Sequence, residues 1–90
     1  MVWTRPALED LRRINQWLPD NAAPIVASEI LTAVRQRSAI LNSFPNAGRP
    51  ISGGSRVLRV RGAPYLLIYR TLPDQVEILR IRHDREDWDR

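Results

Sequence analysis

The chemistry open to this chain is limited first by which side chains it owns. His83 is the one histidine, so any imidazole acid–base step near neutral pH has to run through it. A two-histidine metal site is excluded, and the absence of cysteine removes thiolate ligands, thiol nucleophiles and disulfides. All fourteen basic residues are arginine. A guanidinium keeps its charge on burial, and its planar fork suits phosphate or carboxylate. The carboxylates form no catalytic pairing: Glu9 and Asp10 suit the start of a helix, while Asp84, Glu86, Asp87 and Asp89 belong to a charged tail around Trp88. No glycine-rich phosphate loop, nucleophile elbow or metal cluster is written in the chain. No metal and no cofactor is expected.

The arginines are unevenly spread. Residues 1–29 carry a net charge of −1, residues 30–73 carry +7 with no acid at all, and residues 74–90 carry −2. An acid-free block of this kind makes one side of a small domain positive and calls for an anionic partner, either nucleic acid or an acidic protein segment. Hydrophobic residues at 43% and charged residues at 27% exclude wholesale disorder. At 90 residues, with no linker, repeat or low-complexity stretch, one domain over residues 1–90 is expected. No apolar run reaches the roughly 20 residues of a membrane span. The opening Met1-Val2-Trp3-Thr4-Arg5-Pro6 lacks the pattern of a signal peptide, so a cytoplasmic location without membrane contact is the expectation.

Two kinds of element must position these residues. Met1-Val2-Trp3 reads as a short strand, and Thr4 as the N-cap of a helix with Pro6 in its first turn. Ala7, Leu11, Ile14 and Leu18 then form one apolar helical face ending near Pro19. Asn21 is expected to open a second helix, whose face is Ala27, Leu31, Val34, Ser38 and Leu41. So short a connection makes an antiparallel αα-hairpin. Residues 44–54, rich in Gly and Pro, read as a long irregular connection. From Arg56 the period changes to two, predicting strands over Arg56–Arg61, Tyr65–Thr71 and Val76–Arg82, joined as an antiparallel meander by Gly62-Ala63 and Pro73-Asp74.

Two-residue turns would pair Arg61 with Pro64 and Leu72 with Gln75, which assigns every side chain to a face. One face then carries Leu58, Val60, Tyr65, Leu67, Tyr69, Val76 and Ile78 and receives the helices. The other carries Val57, Leu66, Ile68, Leu79 and Ile81, ringed by Arg59, Arg61, Arg70 and His83. An apolar floor with a basic rim is a binding groove. In that register His83 lies level with Arg61 at roughly 10 Å, with room for a phosphate between them. Arg70 faces Glu77 and is expected to pair with it.

The order of elements and the residues within them resemble the RelE/ParE toxins of bacterial toxin–antitoxin modules. Trp3-Thr4-Arg5-Pro6-Ala7-Leu8-Glu9-Asp10-Leu11-Arg12-Arg13-Ile14 is similar to the family's W-T-x-x-A-x-x-D-L-x-x-I opening, and Phe44-Pro45-Asn46-Ala47-Gly48-Arg49-Pro50 to its F-P-x-x-G-R-P elbow. The three closing strands and the His83-to-Trp88 ending match as well. The resemblance implies an α+β fold: a short N-terminal strand and an antiparallel αα-hairpin packed on a C-terminal three-stranded antiparallel meander. It implies a type II toxin of the ParE-like, plasmid-stabilisation branch, neutralised by a cognate antitoxin; the apolar floor and arginine rim call for an antitoxin segment that is acidic and folds on binding.

The family divides by mechanism. RelE-type members cut mRNA in the ribosomal A site, a 2′-hydroxyl attack that needs a base, an acid and fixed cations. ParE-type members poison DNA gyrase. Of the positions RelE-type enzymes fill with basic residues or tyrosine, Arg59 and Arg85 match, whereas Val57 and Leu66 stand at two others and the late tyrosine is missing. Gyrase poisoning is therefore the favoured expectation. A ribosome-dependent endoribonuclease using His83, Arg59, Arg61 and Arg85 is the alternative, and a non-toxic basic nucleic-acid-binding module the second. Antitoxin or target contacts are expected at Arg59, Arg61, Leu66, Ile68, Leu79, Ile81, Arg85 and Trp88.

Overall fold

The computed structural model describes residues 1–85 of the chain. Strand β1 (Val2–Trp3) leads into helix α1 (Arg5–Asn21) through Thr4. The Thr4 hydroxyl accepts the Ala7 N–H at 3.2 Å, the expected cap, and donates its own proton to the Leu79 carbonyl at 2.9 Å. One residue thus starts the helix and ties it to the last strand. Ala7, Ile14 and Leu18 are buried and Leu11 packs half-buried against them, so the expected face is the core face. The helix runs past Pro19 to Asn21 rather than stopping at the proline. Pro19 lies exposed in the final turn, where little helix remains to be broken. Asn21 closes this helix instead of opening the next: its side-chain amide donates to the Trp17 carbonyl at 2.8 Å.

A two-residue connection, Ala22-Ala23, turns the chain into helix α2 (Pro24–Ala39), with Pro24 in the first turn. Ala27, Val34 and Ser38 are buried, and a short 3₁₀ turn (Ile40–Asn42) buries Leu41. The connection that follows is less irregular than its sequence suggests. Arg49–Pro50 forms strand β2, which pairs antiparallel with strand β3 (Arg56–Arg59). Its anchor is Tyr69, fully buried, whose hydroxyl donates to the Pro45 carbonyl and accepts the Gly48 N–H, both at 2.8 Å. A Cβ at Gly48 would meet the Tyr69 ring and the Val57 carbonyl at 2.7 Å, so only glycine fits there.

Strands β3, β4 (Tyr65–Thr71) and β5 (Val76–His83) form the meander, and β1 adds to β5 in parallel, giving the sheet order β1-β5-β4-β3-β2. Both hairpin registers are those the two-residue turns require. Val60 N–H bonds the Tyr65 carbonyl, Leu72 N–H bonds the Gln75 carbonyl, and Gly62 supplies the positive φ of its turn. Arg70 pairs with Glu77 as expected, Nε to Oε1 at 2.6 Å.

Beyond Tyr69 the register departs from expectation. Tyr69 pairs with Ile78, but Ile68 pairs with Arg80, leaving Leu79 as the extra residue of a β-bulge. Every side chain after the bulge changes face. Ile81, expected on the open floor, joins the helix-facing core beside Leu67. His83 turns to the helix side opposite Tyr65, and Arg80 and Arg82 take places on the open face opposite Ile68 and Leu66. The core comprises the predicted sheet set of Leu58, Val60, Tyr65, Leu67, Tyr69, Val76 and Ile78, plus Ile81, packed under the hairpin. Among the described residues no helix is long and apolar enough to cross a membrane.

Candidate partner-binding groove and cleft

The register places Arg59, Leu66 and Arg82 in one row across the open face, next to a row of Val57, Ile68 and Arg80. Val57 and Leu66 are buried rather than open, because the Gly48 elbow pulls Ala47 and Arg49 down beside them. What remains is a groove of about 370 Å³ lined by Ala47, Arg49, Val57, Leu58, Arg59, Leu66 and Asp84. Arg59 is held at its mouth by two contacts. Its Nη2 bonds the Asp84 carboxylate at 3.0 Å, and its carbonyl accepts the Arg37 Nε–H at 2.8 Å. The Arg59 side chain is 66% exposed, so its ion pair is solvent-screened and exchangeable.

Across β5, on the helix side, a cleft of about 300 Å³ opens between α1 and the strand end, lined by Arg13, Ile14, Trp17, Tyr65 and His83. It continues into a polar half that adds Asp10, Arg80, Ile81 and Arg82. Asp10 organises this end and does more than complement a helix dipole. Buried on α1, it takes Arg80 Nε at 2.7 Å and Nη2 at 3.0 Å, a bidentate pair, and also accepts the Ile81 N–H at 3.0 Å. Arg80 thus reaches round the strand edge, and the carboxylate satisfies a β5 N–H that β1 is too short to reach. Trp17, 55% exposed, stands at the cleft mouth. The Tyr65 and His83 rings meet edge to face, with centroids 5.6 Å apart and planes at 80°. Burial pushes the Tyr65 phenol above its usual pKa, which keeps it a hydroxyl donor.

The residues singled out in the sequence divide among three places. Arg59 and Leu66 share the groove, with Ile68 half-buried in the adjoining row. Arg61 lies exposed in the β3–β4 turn and lines a separate hollow against α2 with Ala33, Gln36, Arg37 and Ile40. Leu79 is the bulge residue, half-buried, and Ile81 is in the core. His83 is not level with Arg61: it pairs with Tyr65, whose neighbour on β3 is Val60. Its Nδ1 accepts the Arg85 N–H at 3.1 Å and lies 3.4 Å from Asp84 Oδ1. Those contacts compete, since the first needs a bare nitrogen and the second a protonated one. Arg85 is exposed in the turn after β5, and Trp88 lies outside the described residues. Asp10, expected only to suit a helix start, and Trp17, Arg49 and Arg82 were not among the expected site residues; the placement of Arg49 depends on the elbow and that of Arg82 on the bulge.

The hairpin on one face of this sheet order and a groove edged with arginine on the other define a class, the RelE/ParE-type toxins. A solved structure described as the chromosomal ParDE TA system from P. aeruginosa superposes with a TM-score of 0.80, covering 91% of each chain at 27% identity. Toxin RelE3 of Caulobacter vibrioides is 39% identical over 82 residues, which is 89% of this chain and 88% of that protein. The family model described as ParE toxin of type II toxin–antitoxin system, parDE, matches residues 1–88. The chain belongs to the ParE toxin family, and membership implies a cognate antitoxin as its partner.

Proposed function

We propose that this toxin arrests growth by binding DNA gyrase, without chemistry of its own, and that its antitoxin silences it by folding an acidic segment over the open-face groove. The observation that carries the reading is the lining of that groove. Strand-directed cleavage of RNA needs a proton acceptor and a donor beside the bound phosphate. The groove offers Arg49 and Arg59 as cations, but Val57 and Leu66 occupy its floor and its one carboxylate, Asp84, is bound to Arg59. The chain's single imidazole faces α1 instead. Arginines beside a small apolar floor suit a partner segment that brings carboxylates and an apolar anchor.

Primer extension on translated message during toxin induction tests the absence of catalysis. The expected result is unbroken message while growth stops; codon-specific cuts that vanish in His83→Ala would establish the ribonuclease instead. Arg59→Glu tests the groove. It should raise the Kd for the antitoxin at least tenfold, because an attraction becomes a repulsion at a desolvated contact. The alternative endoribonuclease would draw on His83 and Arg85 at the end of β5, and the same primer extension decides between the two.

A further inference from the structure

Residues 30–73 hold seven arginines and no acid, so few of these cations can be matched nearby. Arg59 pairs with Asp84, Arg70 with Glu77, and Arg56 bonds the Gly48 carbonyl. Arg37 and Arg61 have no acid against them among the described residues. They meet in one hollow of about 210 Å³, where the β3–β4 turn comes against α2, with Ala33, Gln36 and Ile40 as its other walls. Glu29, the one acid of α2, lies about 12 Å back along the helix axis. The hollow is a cationic site with no counter-charge among the described residues.

The Arg37 guanidinium is aimed before any ligand arrives. Val60 bonds Tyr65 across the ladder, so its neighbour Arg59 turns its carbonyl away from β4. Arg37 Nε–H caps that edge carbonyl at 2.8 Å. The bond orients the planar fork and leaves its two Nη groups as donors. It also blocks the edge, since a peptide adding as a strand beside Arg59 would need the carbonyl that Arg37 holds. An anion needs only the Nη groups and the exposed Arg61. The site thus favours charged oxygens that bring no ladder of their own, and a phosphodiester fits a guanidinium fork.

We infer that this hollow grips the backbone of duplex DNA, with Arg37 and Arg61 on neighbouring phosphates of the DNA that gyrase holds. Duplex DNA presents a negative charge about every 1.7 Å of its axis, so two arginines in one hollow both find a partner. Backbone contacts position a protein without reading sequence, which lets the toxin hold whatever DNA gyrase has bound. The choice of DNA over RNA rests on the gyrase reading; the site rests on the two arginines.

Fluorescence anisotropy tests this with the purified full-length toxin and a labelled DNA duplex of two helical turns, over a series of salt concentrations and beside an RNA hairpin of equal length. Arg37→Glu and Arg61→Glu should each raise Kd roughly tenfold and flatten the dependence of log Kd on log salt by about one. Arg35→Glu makes the same charge change about 200° round α2 from Arg37 and should move Kd less than about threefold. Should Arg37→Glu lower the thermal melt, Arg61→Glu decides, because Arg61 stands exposed in its turn. An equal loss in Arg35→Glu means that only net charge attracts the duplex, and overturns the inference. A wild-type toxin that binds no duplex overturns it too and leaves the gyrase reading standing, since the assay contains no gyrase. Equal or tighter binding of the RNA overturns the choice of DNA. A wild-type toxin that leaves gyrase supercoiling untouched removes the gyrase reading, and duplex binding that depends on Arg61 then still supports the hollow as a DNA site.

Discussion

Two ion pairs stand on opposite sides of β5, and they are built for different purposes. Asp10–Arg80 is bidentate, its carboxylate is 8% exposed, and the same carboxylate satisfies the Ile81 N–H. Arg59–Asp84 is a single contact whose arginine is 66% exposed. Each acid also has a second basic neighbour, Arg13 beside Asp10 and His83 beside Asp84, yet only the Asp10 carboxylate accepts a backbone N–H of the sheet. A buried carboxylate fixes geometry, because loss of the arginine facing it would leave its charge desolvated and poorly matched. An exposed pair contributes little to folding and can be exchanged for a partner's carboxylate. The helix side of β5 is thus held rigid by ionic contacts, while the groove side keeps an arginine that a ligand can capture.

Breaking the first pair should have the largest effect. Asp10→Ala removes the bidentate contact to Arg80 and leaves the Ile81 N–H without its acceptor, and is expected to cost about 2–4 kcal/mol in urea denaturation. A loss under ~1 kcal/mol would mean that this pair is no more structural than the exposed one. Gly48→Ala comes next and probes the wall of the groove. The added methyl meets the Tyr69 ring and the Val57 carbonyl, and overpacking of that kind costs about 1–3 kcal/mol in thermal or chemical melts. Antitoxin affinity should fall with it if the elbow shapes the groove. Asp84→Asn should have the smallest effect on folding, within ~1 kcal/mol, as expected for an exposed pair. The same variant releases Arg59 and should tighten antitoxin binding a few-fold, the opposite sign from Arg59→Glu.

The parts legible in the sequence were those fixed by neighbouring residues. Gly62-Ala63 and Pro73-Asp74 set both hairpin registers, so Arg70–Glu77 and the core set from Leu58 to Ile78 follow from turn chemistry alone. The Thr4 cap and the two apolar helix faces follow from spacing. What was missed came from partners far along the chain. Ile78 and Leu79 are adjacent apolar residues, and Arg80, Ile81 and Arg82 resume the alternation in the opposite phase, a break in period that marks the bulge even though no glycine does. The bulge is pinned by the Thr4 hydroxyl on the Leu79 carbonyl, while Asp10 takes the Ile81 N–H. Those contacts join residues more than seventy positions apart. One extra residue then moved Ile81 and His83 off the predicted face and brought Arg80 and Arg82 onto it. Strand β2 was hidden for a similar reason: two residues, one of them proline, carry no periodicity and depend on Tyr69 to hold the elbow.

The proposed growth arrest is a protein–protein event on gyrase. Its most direct measurement is a DNA supercoiling and cleavage assay with purified gyrase and purified toxin, run beside an mRNA integrity assay on translating ribosomes. A toxin of this kind should give gyrase inhibition that saturates with toxin, is reversed by stoichiometric antitoxin, and leaves the message intact. Unaffected gyrase together with cut ribosome-bound message would contradict a gyrase target.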